Sequence, residues 1–147
     1  MKRLFYLLAA AAFTACGSAT TLSVMTFNMR YDNPEDGADN WRFRRGRVAE
    51  VIASHGVDVF GTQELLANQL GDLKRLLPGY AAVGVGREDG AEAGEFSAVF
   101  YRRDRFTPLE SGTFWLSETP DVAGSKGWDG ACERVATWVV LHDREGG

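Results

Sequence analysis

The sequence contains little cysteine: only Cys16 and Cys132 occur among its 147 residues. Cys16 stands at the end of an amino-terminal apolar segment, where export or lipidation would remove it from disulfide pairing. Cys132 is then left without a partner, which excludes an internal disulfide in an exported protein. The fold must therefore be held by its hydrophobic core or by a bound ion.

A surplus of positive charge is missing as well. The formal net charge is -4, and the only dense cationic run is formed by Arg42, Arg44, Arg45 and Arg47. A protein that coats nucleic acid through charge alone needs a basic surface that displaces counterions. The composition argues against that class of function, although an active site that binds one or two phosphates can still be locally basic.

Long hydrophobic runs are also absent beyond the first residues of the chain. The apolar segment at residues 4–13 is too short to span a bilayer as a stable helix. Lys2 and Arg3 precede it and small residues follow, which is the pattern of an export signal. We therefore predict that residues 1–19 are an export signal and that the rest of the chain is an exported bacterial protein.

The residues around Cys16 leave two outcomes open. Residues 14–17, Thr-Ala-Cys-Gly, resemble the cleavage box of a bacterial lipoprotein, although Phe13 stands where such boxes usually carry leucine. Lipidation of Cys16 would anchor the protein to a membrane of the cell envelope, whereas ordinary cleavage near Ala19 would release it as a periplasmic or secreted protein. Of the two, we expect lipidation.

The chain has the composition of one modest globular domain, with 45% hydrophobic and 24% charged residues. Residues 22–29 and 57–61 are rich in strand formers, and residues 41–54 carry apolar side chains at helical spacing. A strand, a helix and a strand in this order predict a parallel pair joined by a right-handed crossover. Both faces of the first strand are largely apolar, so we expect it in the middle of a covered sheet.

The second half of the pattern continues with one more helix and several strands. Four leucines recur on one face of a predicted helix that Pro78 and Gly79 terminate. A flexible, glycine-rich loop is predicted at residues 84–94. The other predicted strands, in chain order, cover residues 80–85, 95–102, 112–117 and 134–142. Together these patterns predict an α/β fold.

Four polar side chains stand at or beside predicted strand ends: Asn28, Glu64, Glu95 and Arg134. Mg²⁺ typically takes one or two protein carboxylates and completes its octahedron with water and phosphate oxygens. An arginine binds phosphate through a planar fork of donors, and a neutral amide orients a phosphate oxygen without adding charge. A convergence of the four would suit phosphoryl transfer, although each taken singly is more often a capped loop or a surface charge.

Five blocks follow one another along the chain: Met25-Thr26-Phe27-Asn28-Met29-Arg30, Asp58-Val59-Phe60-Gly61-Thr62-Gln63-Glu64, residues 84–94 followed by Glu95-Phe96-Ser97, Thr113-Phe114-Trp115-Leu116-Ser117-Glu118-Thr119-Pro120 and Arg134-Val135-Ala136-Thr137-Trp138. In this order they resemble successive blocks of the endonuclease/exonuclease/phosphatase superfamily. Pancreatic-type deoxyribonucleases, inositol polyphosphate 5-phosphatases and neutral sphingomyelinases share that fold. The resemblance rests on the order of the blocks more than on any one of them.

The resemblance implies a four-layer α/β sandwich, with two mixed sheets and helices outside them, that hydrolyses phosphate esters with Mg²⁺ or Mn²⁺. Carried over by position, Glu64 would be the metal ligand and Asn28 the amide beside the metal and the scissile phosphate. Glu95 matches an acid that supports a catalytic histidine, and Arg134 matches an arginine beside the phosphates. Arg87 and Tyr101 lie in blocks that match less closely.

Three blocks that carry the general base and further charge in this family are missing: Asn-Thr-His, Gly-Asp-Phe-Asn and a carboxyl-terminal Ser-Asp-His. His55 and His142 match none of them, and we expect both to be structural or exposed. Residues 22–147 therefore resemble the amino-terminal half of such a domain, which predicts inactivity as a fragment, exposed apolar sheet edges and poor solubility.

The function expected for the intact protein is metal-dependent hydrolysis of a phosphate-ester substrate. The substrate is left open among nucleic acids, inositol phosphates and sphingolipids, with net acidity disfavouring long DNA. A non-catalytic surface lipoprotein that uses the same sandwich for binding is the alternative, since the missing blocks fit it directly. The sequence indicates no obligate protein partner.

Overall fold

A computed structural model describes residues 20–146. The predicted export signal and the predicted lipidation of Cys16 lie outside these residues. No helix in the described range is long and apolar enough to cross a membrane. The elements are β1 (Val24–Asn28), a 3-10 helix (Pro34–Asp39), α1 (Trp41–Ser54), β2 (Val59–Gln63), α2 (Ala67–Leu76), β3 (Tyr80–Val83), β4 (Val99–Arg102), β5 (Phe106–Trp115) and β6 (Val135–Asp143).

Two sheets form the centre of the molecule. The first has four strands in the order β1-β2-β4-β3, in which β1 and β2 are parallel and the other pairs antiparallel. The second is the antiparallel pair of β5 and β6, and β6 contacts β3 and β4 of the first sheet. The predicted parallel pairing of the first two strands is thus confirmed, and the sheet-on-sheet arrangement is that of the expected sandwich.

The two α-helices begin and end where local chemistry favours it. The side chain of Asn40 accepts a hydrogen bond from the backbone N–H of Arg42 and caps α1, which ends at Ser54 with His55 as its carboxyl-terminal cap. At the start of α2, Gln69 Oε1 accepts the backbone N–H of Leu66 at 3.0 Å. α2 ends just before Pro78, which cannot continue a helix.

Both helices pack on the first sheet around one hydrophobic core. Trp41 and Ile52 from α1 and Leu73 from α2 are fully or almost fully buried against it. Phe60 and Phe100 from neighbouring strands stack with ring centroids 4.5 Å apart. The helices, the first sheet and the second sheet form successive layers. Because β1 and β2 are parallel, their carboxyl ends lie at one rim of the first sheet.

The first strand is not in the middle of a covered sheet, so that prediction was wrong. Among the described residues β1 pairs only with β2, and its side chains alternate between partly buried and exposed. Met25 and Phe27 pack on the core, whereas Val24 on the opposite face is 65% exposed. An apolar side chain at a strand position indicates burial only when an element covers that face, and the sequence of β1 alone does not contain this information.

The strand predicted at residues 95–102 is also shorter than expected, since β4 covers only Val99–Arg102. Before it, the Thr62 hydroxyl donates to Ala98 O at 3.0 Å and accepts from Ala98 N at 3.1 Å. The backbone N–H of Thr62 still donates to Ala98 O at 2.8 Å, so the hydroxyl takes the place of a backbone acceptor only for the N–H of Ala98. Phe96 still bridges to Leu65 and Gly86, so the polypeptide remains attached to the sheet.

A buried ion network, here called the sheet clasp, joins the two sheets through Asp58, Arg105 and Asp143. The Arg105 side chain is only 4% exposed and its Nη1 donates to Asp58 Oδ2 at 2.8 Å. Its Nη2 donates to Asp143 Oδ2 at 2.7 Å, and Nη1 also donates to the carbonyl of Thr21 at 2.9 Å. The hydrogen bond from Arg105 lowers the pKa of Asp143 from 3.8 to about 2.

The clasp predicts a loss of stability in acid that depends on Asp143. A carboxyl group whose pKa is lower in the folded state stabilises the fold above its unfolded pKa of 3.8, and this stabilisation is lost as the pH falls toward about 2. We expect the urea midpoint of the wild-type chain to fall across that window and the midpoint of Asp143→Asn to fall less. Parallel curves for the two proteins would contradict this role of Asp143.

The outward face of the second sheet is apolar and open. Phe114, Trp138 and Val140 lie on it and are between 38% and 44% exposed. The pairs Phe114–Ala136 and Gly112–Trp138 are adjacent across the two strands, so these side chains form one continuous surface. Among residues 20–146 no helix packs on it, so the apolar surface left open here is a sheet face, whereas the prediction concerned sheet edges.

Candidate functional site

One polar pocket of about 220 Å³ opens at the rim where β1 and β2 end and β6 begins. All four predicted site residues line it, although they come from distant parts of the sequence. The parallel strands β1 and β2 bring their carboxyl ends to the same edge, and the second sheet supplies the residues just before β6. The lining residues are Asn28, Gln63, Glu64, Arg87, Glu95, Ser97, Glu133, Arg134 and Val135.

Asn28 and Glu64 contact each other directly. Asn28 is paired with Gln63 in the parallel register, so the next residue, Glu64, lies beside the end of β1. Asn28 Nδ2 donates to Glu64 Oε1 at 2.9 Å, and the backbone N–H of Arg30 donates to Asn28 Oδ1 at 2.8 Å. The second bond fixes which way the amide points, because its oxygen accepts from Arg30 and its nitrogen donates to the carboxylate.

The backbone at Glu64 lies in the left-handed region, with φ of 56°. Residues other than glycine adopt this conformation at a steric cost, and such outliers concentrate at functional sites. It turns the chain sharply after β2 and leaves the carboxylate at the pocket beside Asn28. The backbone at Glu64 therefore adopts a sterically costly conformation, and this conformation places the side chain at the pocket.

Arg87 and Glu95, which also line the pocket, form an ion pair. Arg87 Nη1 donates to Glu95 Oε2 at 2.8 Å, and the two side chains are 16% and 25% exposed. The carbonyl of Arg87 accepts the indole N–H of Trp115 at 2.6 Å, which ties the loop to the second sheet. Arg87 Nε is buried and has no partner among the described residues, so the guanidinium retains unused donor capacity next to the pocket.

Arg134 lies at the mouth of the pocket and is exposed. Its carbonyl accepts the backbone N–H of Leu116 at 2.8 Å, which extends the pairing of β5 and β6 up to the site. In the part of the chain that the structure describes, its guanidinium forms no ion pair with Asp or Glu. A cation with no carboxylate bound to it is suited to an anionic ligand.

Three polar residues of the pocket were not predicted as site residues, although two of them lie in the matched blocks: Gln63, Ser97 and Glu133. Ser97 shares a strand face with Glu95 under the period of two, and that alternation was the signal that could have found it. Glu133 precedes Arg134 but lies outside the recognised block. Tyr101, by contrast, is 5% exposed in β4 and does not line the pocket.

Both histidines lie away from the pocket. His55 follows α1, and its ring nitrogen Nδ1 lies 2.8 Å from the carbonyl of Val51. His142 is exposed on β6 and pairs with Thr107, near the far end of that strand from Arg134. The prediction that both are structural or exposed is confirmed, and neither supplies a base to the residues that line the pocket.

The donor set of the pocket fits a hard divalent cation. Glu64 accepts one close hydrogen bond from Asn28 and a longer one, 3.4 Å, from the backbone N–H of Tyr31, which leaves lone pairs on both oxygens. Among residues 20–146 no group of three or more His, Cys, Asp or Glu side chains could enclose a metal. A single carboxylate with open positions is how Mg²⁺ binds when water and phosphate oxygens complete its shell.

Comparison with known proteins places this geometry in a family. Residues 25–145 match the model of the Endonuclease/Exonuclease/phosphatase family. The chain is 50% identical to the endonuclease/exonuclease/phosphatase from Bacteroides vulgatus, with a TM-score of 0.80 over 81% of this chain and 46% of that one. It is 46% identical to a mannosyl-6-phosphatase from Bacteroides thetaiotaomicron, with a TM-score of 0.84 over 86% of this chain and 48% of that one.

The chain thus spans just under half the length of these two solved structures. A search of curated proteins found no match. The family match covers all four predicted pocket residues, and the two solved structures share both fold and about half of the aligned residues. On these grounds the chain belongs to the endonuclease/exonuclease/phosphatase family.

Proposed function

We propose that the intact protein is a metal-dependent hydrolase of phosphate esters. The observation that carries this proposal is the convergence of Asn28, Glu64 and Arg134 on one polar pocket at a sheet rim. A carboxylate for a cation, an oriented amide and an arginine without a carboxylate partner are the groups that bind a phosphate ester. Family membership supports the same class of chemistry, since the similar proteins include a phosphatase.

Each residue has a distinct task in this proposal. Glu64 would hold Mg²⁺ or Mn²⁺, which, when bound, acts as a Lewis acid toward a phosphate oxygen. Arg134 binds the phosphate oxygens through its guanidinium, and Asn28 orients the carboxylate of Glu64 through their 2.9 Å hydrogen bond. Glu95 fixes Arg87 at the pocket wall, so that the second guanidinium also faces the phosphate.

The described residues supply binding and orientation, and a hydrolytic water also requires a general base within hydrogen-bond reach. Neither histidine lies at the pocket, and no aspartate lines it. We therefore assign the binding part of the reaction to residues 20–146. The substrate class is proposed from the mannosyl-6-phosphatase at 46% identity: a phosphate monoester of a sugar.

Phosphate release by a full-length version of the protein, in place of the inactive fragment expected for these residues alone, tests the proposal. We expect Mg²⁺-dependent release from mannose 6-phosphate, faster than hydrolysis of bis(p-nitrophenyl) phosphate, and loss of both activities in EDTA. Release that continues undiminished in the chelator would exclude the metal. Failure to hydrolyse either compound, or to bind either one in the presence of Mn²⁺, would exclude the hydrolase and favour a non-catalytic surface protein.

A further inference from the structure

Glu133 is a carboxylate of the pocket that the proposed chemistry does not use. It lines the pocket together with Arg134 and is partly buried. Among the described residues its side chain forms neither a hydrogen bond with another side chain nor a salt bridge, whereas Glu64 accepts from Asn28 and Glu95 pairs with Arg87. An acceptor without a partner in a binding pocket is available to a ligand.

Glu133 is unsuited to a metal cluster with the other two glutamates. Three acidic side chains line the pocket, yet the described residues contain no group of three or more acidic, histidine or cysteine side chains that could hold a metal. Among the described residues the three glutamates therefore form no such metal site, and the side chain of Glu133 remains available to the organic part of a ligand.

The charged groups of the pocket determine which classes of ligand can bind beside Glu133. Glu95 and Arg87 neutralise each other, which leaves Arg134 as the guanidinium without an ion pair and Glu133 beside it in sequence. A second anionic group on the ligand would approach Glu133 and be repelled. Hydroxyl groups of an uncharged ligand body would instead donate hydrogen bonds to it, and hydrogen bonds to a charged acceptor are the stronger kind.

We propose that Glu133 determines substrate specificity: it accepts hydrogen bonds from the hydroxyl groups of a monophosphorylated polyol and disfavours esters that carry further phosphates, nucleic acids included. This inference rests on the proposed function of the pocket and assigns the selection of the proposed substrate class to one residue. Arg134 then binds the phosphate of the ligand and Glu133 its hydroxyl-bearing body, from adjacent positions before β6.

Binding of three non-hydrolysable probes to the full chain in Mg²⁺ tests this role. They are the phosphonomethyl analogue of mannose 6-phosphate, methylphosphonate, which has no hydroxyl-bearing body, and methylenediphosphonate, which has a second anionic group. We expect the Glu133→Ala variant to bind the sugar phosphonate about tenfold more weakly, the loss expected for one charged hydrogen bond. Methylphosphonate should bind equally well to both proteins, and methylenediphosphonate more tightly to the variant.

Glu50→Ala is the matched control, because Glu50 is exposed on α1 and does not line the pocket. It should leave all three affinities unchanged. If wild type and Glu133→Ala prefer the sugar phosphonate over methylphosphonate by the same factor, Glu133 does not bind the hydroxyl-bearing body of the ligand. That result would overturn the role of Glu133 while leaving phosphate binding intact. Parallel weakening of both would show a merely structural effect and overturn it too, and a wild-type chain that binds none of the probes would overturn the proposed function with it.

Discussion

In a full-length version of the protein, the Glu64→Gln variant is expected to lose metal-dependent phosphate release by roughly a hundredfold or more, the scale seen when one preorganised group of a reaction centre is removed. Glutamine has nearly the same shape, and its side-chain oxygen can still accept the hydrogen bond that Asn28 donates to Glu64 at 2.9 Å. The backbone turn after β2 is unaffected. What disappears is the negative charge that attracts the divalent cation.

Two measurements separate this effect from a loss of folding. Mn²⁺ titration should show weaker binding by Glu64→Gln than by the wild-type chain, and thermal unfolding without metal should be similar for both. Glu50→Gln removes the same charge from an exposed position on α1 and should behave as wild type in each assay. Unchanged Mn²⁺ affinity in Glu64→Gln would show that Glu64 is not the ligand.

The second large effect concerns the sheet clasp. Replacing Arg105 with methionine retains the apolar part of the side chain but leaves two carboxylates, Asp58 and Asp143, without their shared cation. Asp58 is 4% exposed and would keep only the salt bridge from Arg102 Nη1, 3.3 Å away, so removal of its closer and more deeply buried cation is expected to be destabilising. We expect the melting temperature to fall by roughly 10 °C or more.

Arg47→Met is the control for the clasp, since Arg47 is exposed on α1 and forms no salt bridge with the described residues. Its melting temperature should lie close to that of the wild-type chain. Asp143→Asn should fall between the two, because Arg105 keeps Asp58 as a partner. A melting temperature of Arg105→Met equal to that of Arg47→Met would show that the clasp does not support the joined sheets.

The sequence predicts the part of the site that lies at the ends of the parallel strands. Asn28 and Glu64 end two strands joined by a helix, and that topology alone brings them to one edge. Arg134 was placed by its family block and lies at the same pocket. Glu133 was missed because a single acidic residue before a strand has no distinguishing pattern until the strand is placed beside the others.

The parts that escaped prediction depend on contacts between distant residues. Arg105 reaches Thr21 and Asp143 across 84 and 38 positions, and no periodicity connects them. The exposure of one face of β1 was not predicted for a similar reason, since whether Val24 is covered depends on which elements lie opposite it. Local pattern defines where strands and helices form, and long-range pairing defines which side chains are buried or bound.

The left-handed backbone of Glu64 has a consequence for laboratory evolution. Glycine would adopt φ of 56° without steric cost, so a substitution to glycine relieves strain of about 1 kcal/mol. A library of this chain selected for thermal stability alone is therefore expected to enrich glycine at position 64. Selection for phosphate release should restore glutamate there, which would place stability and activity in direct competition at a single residue.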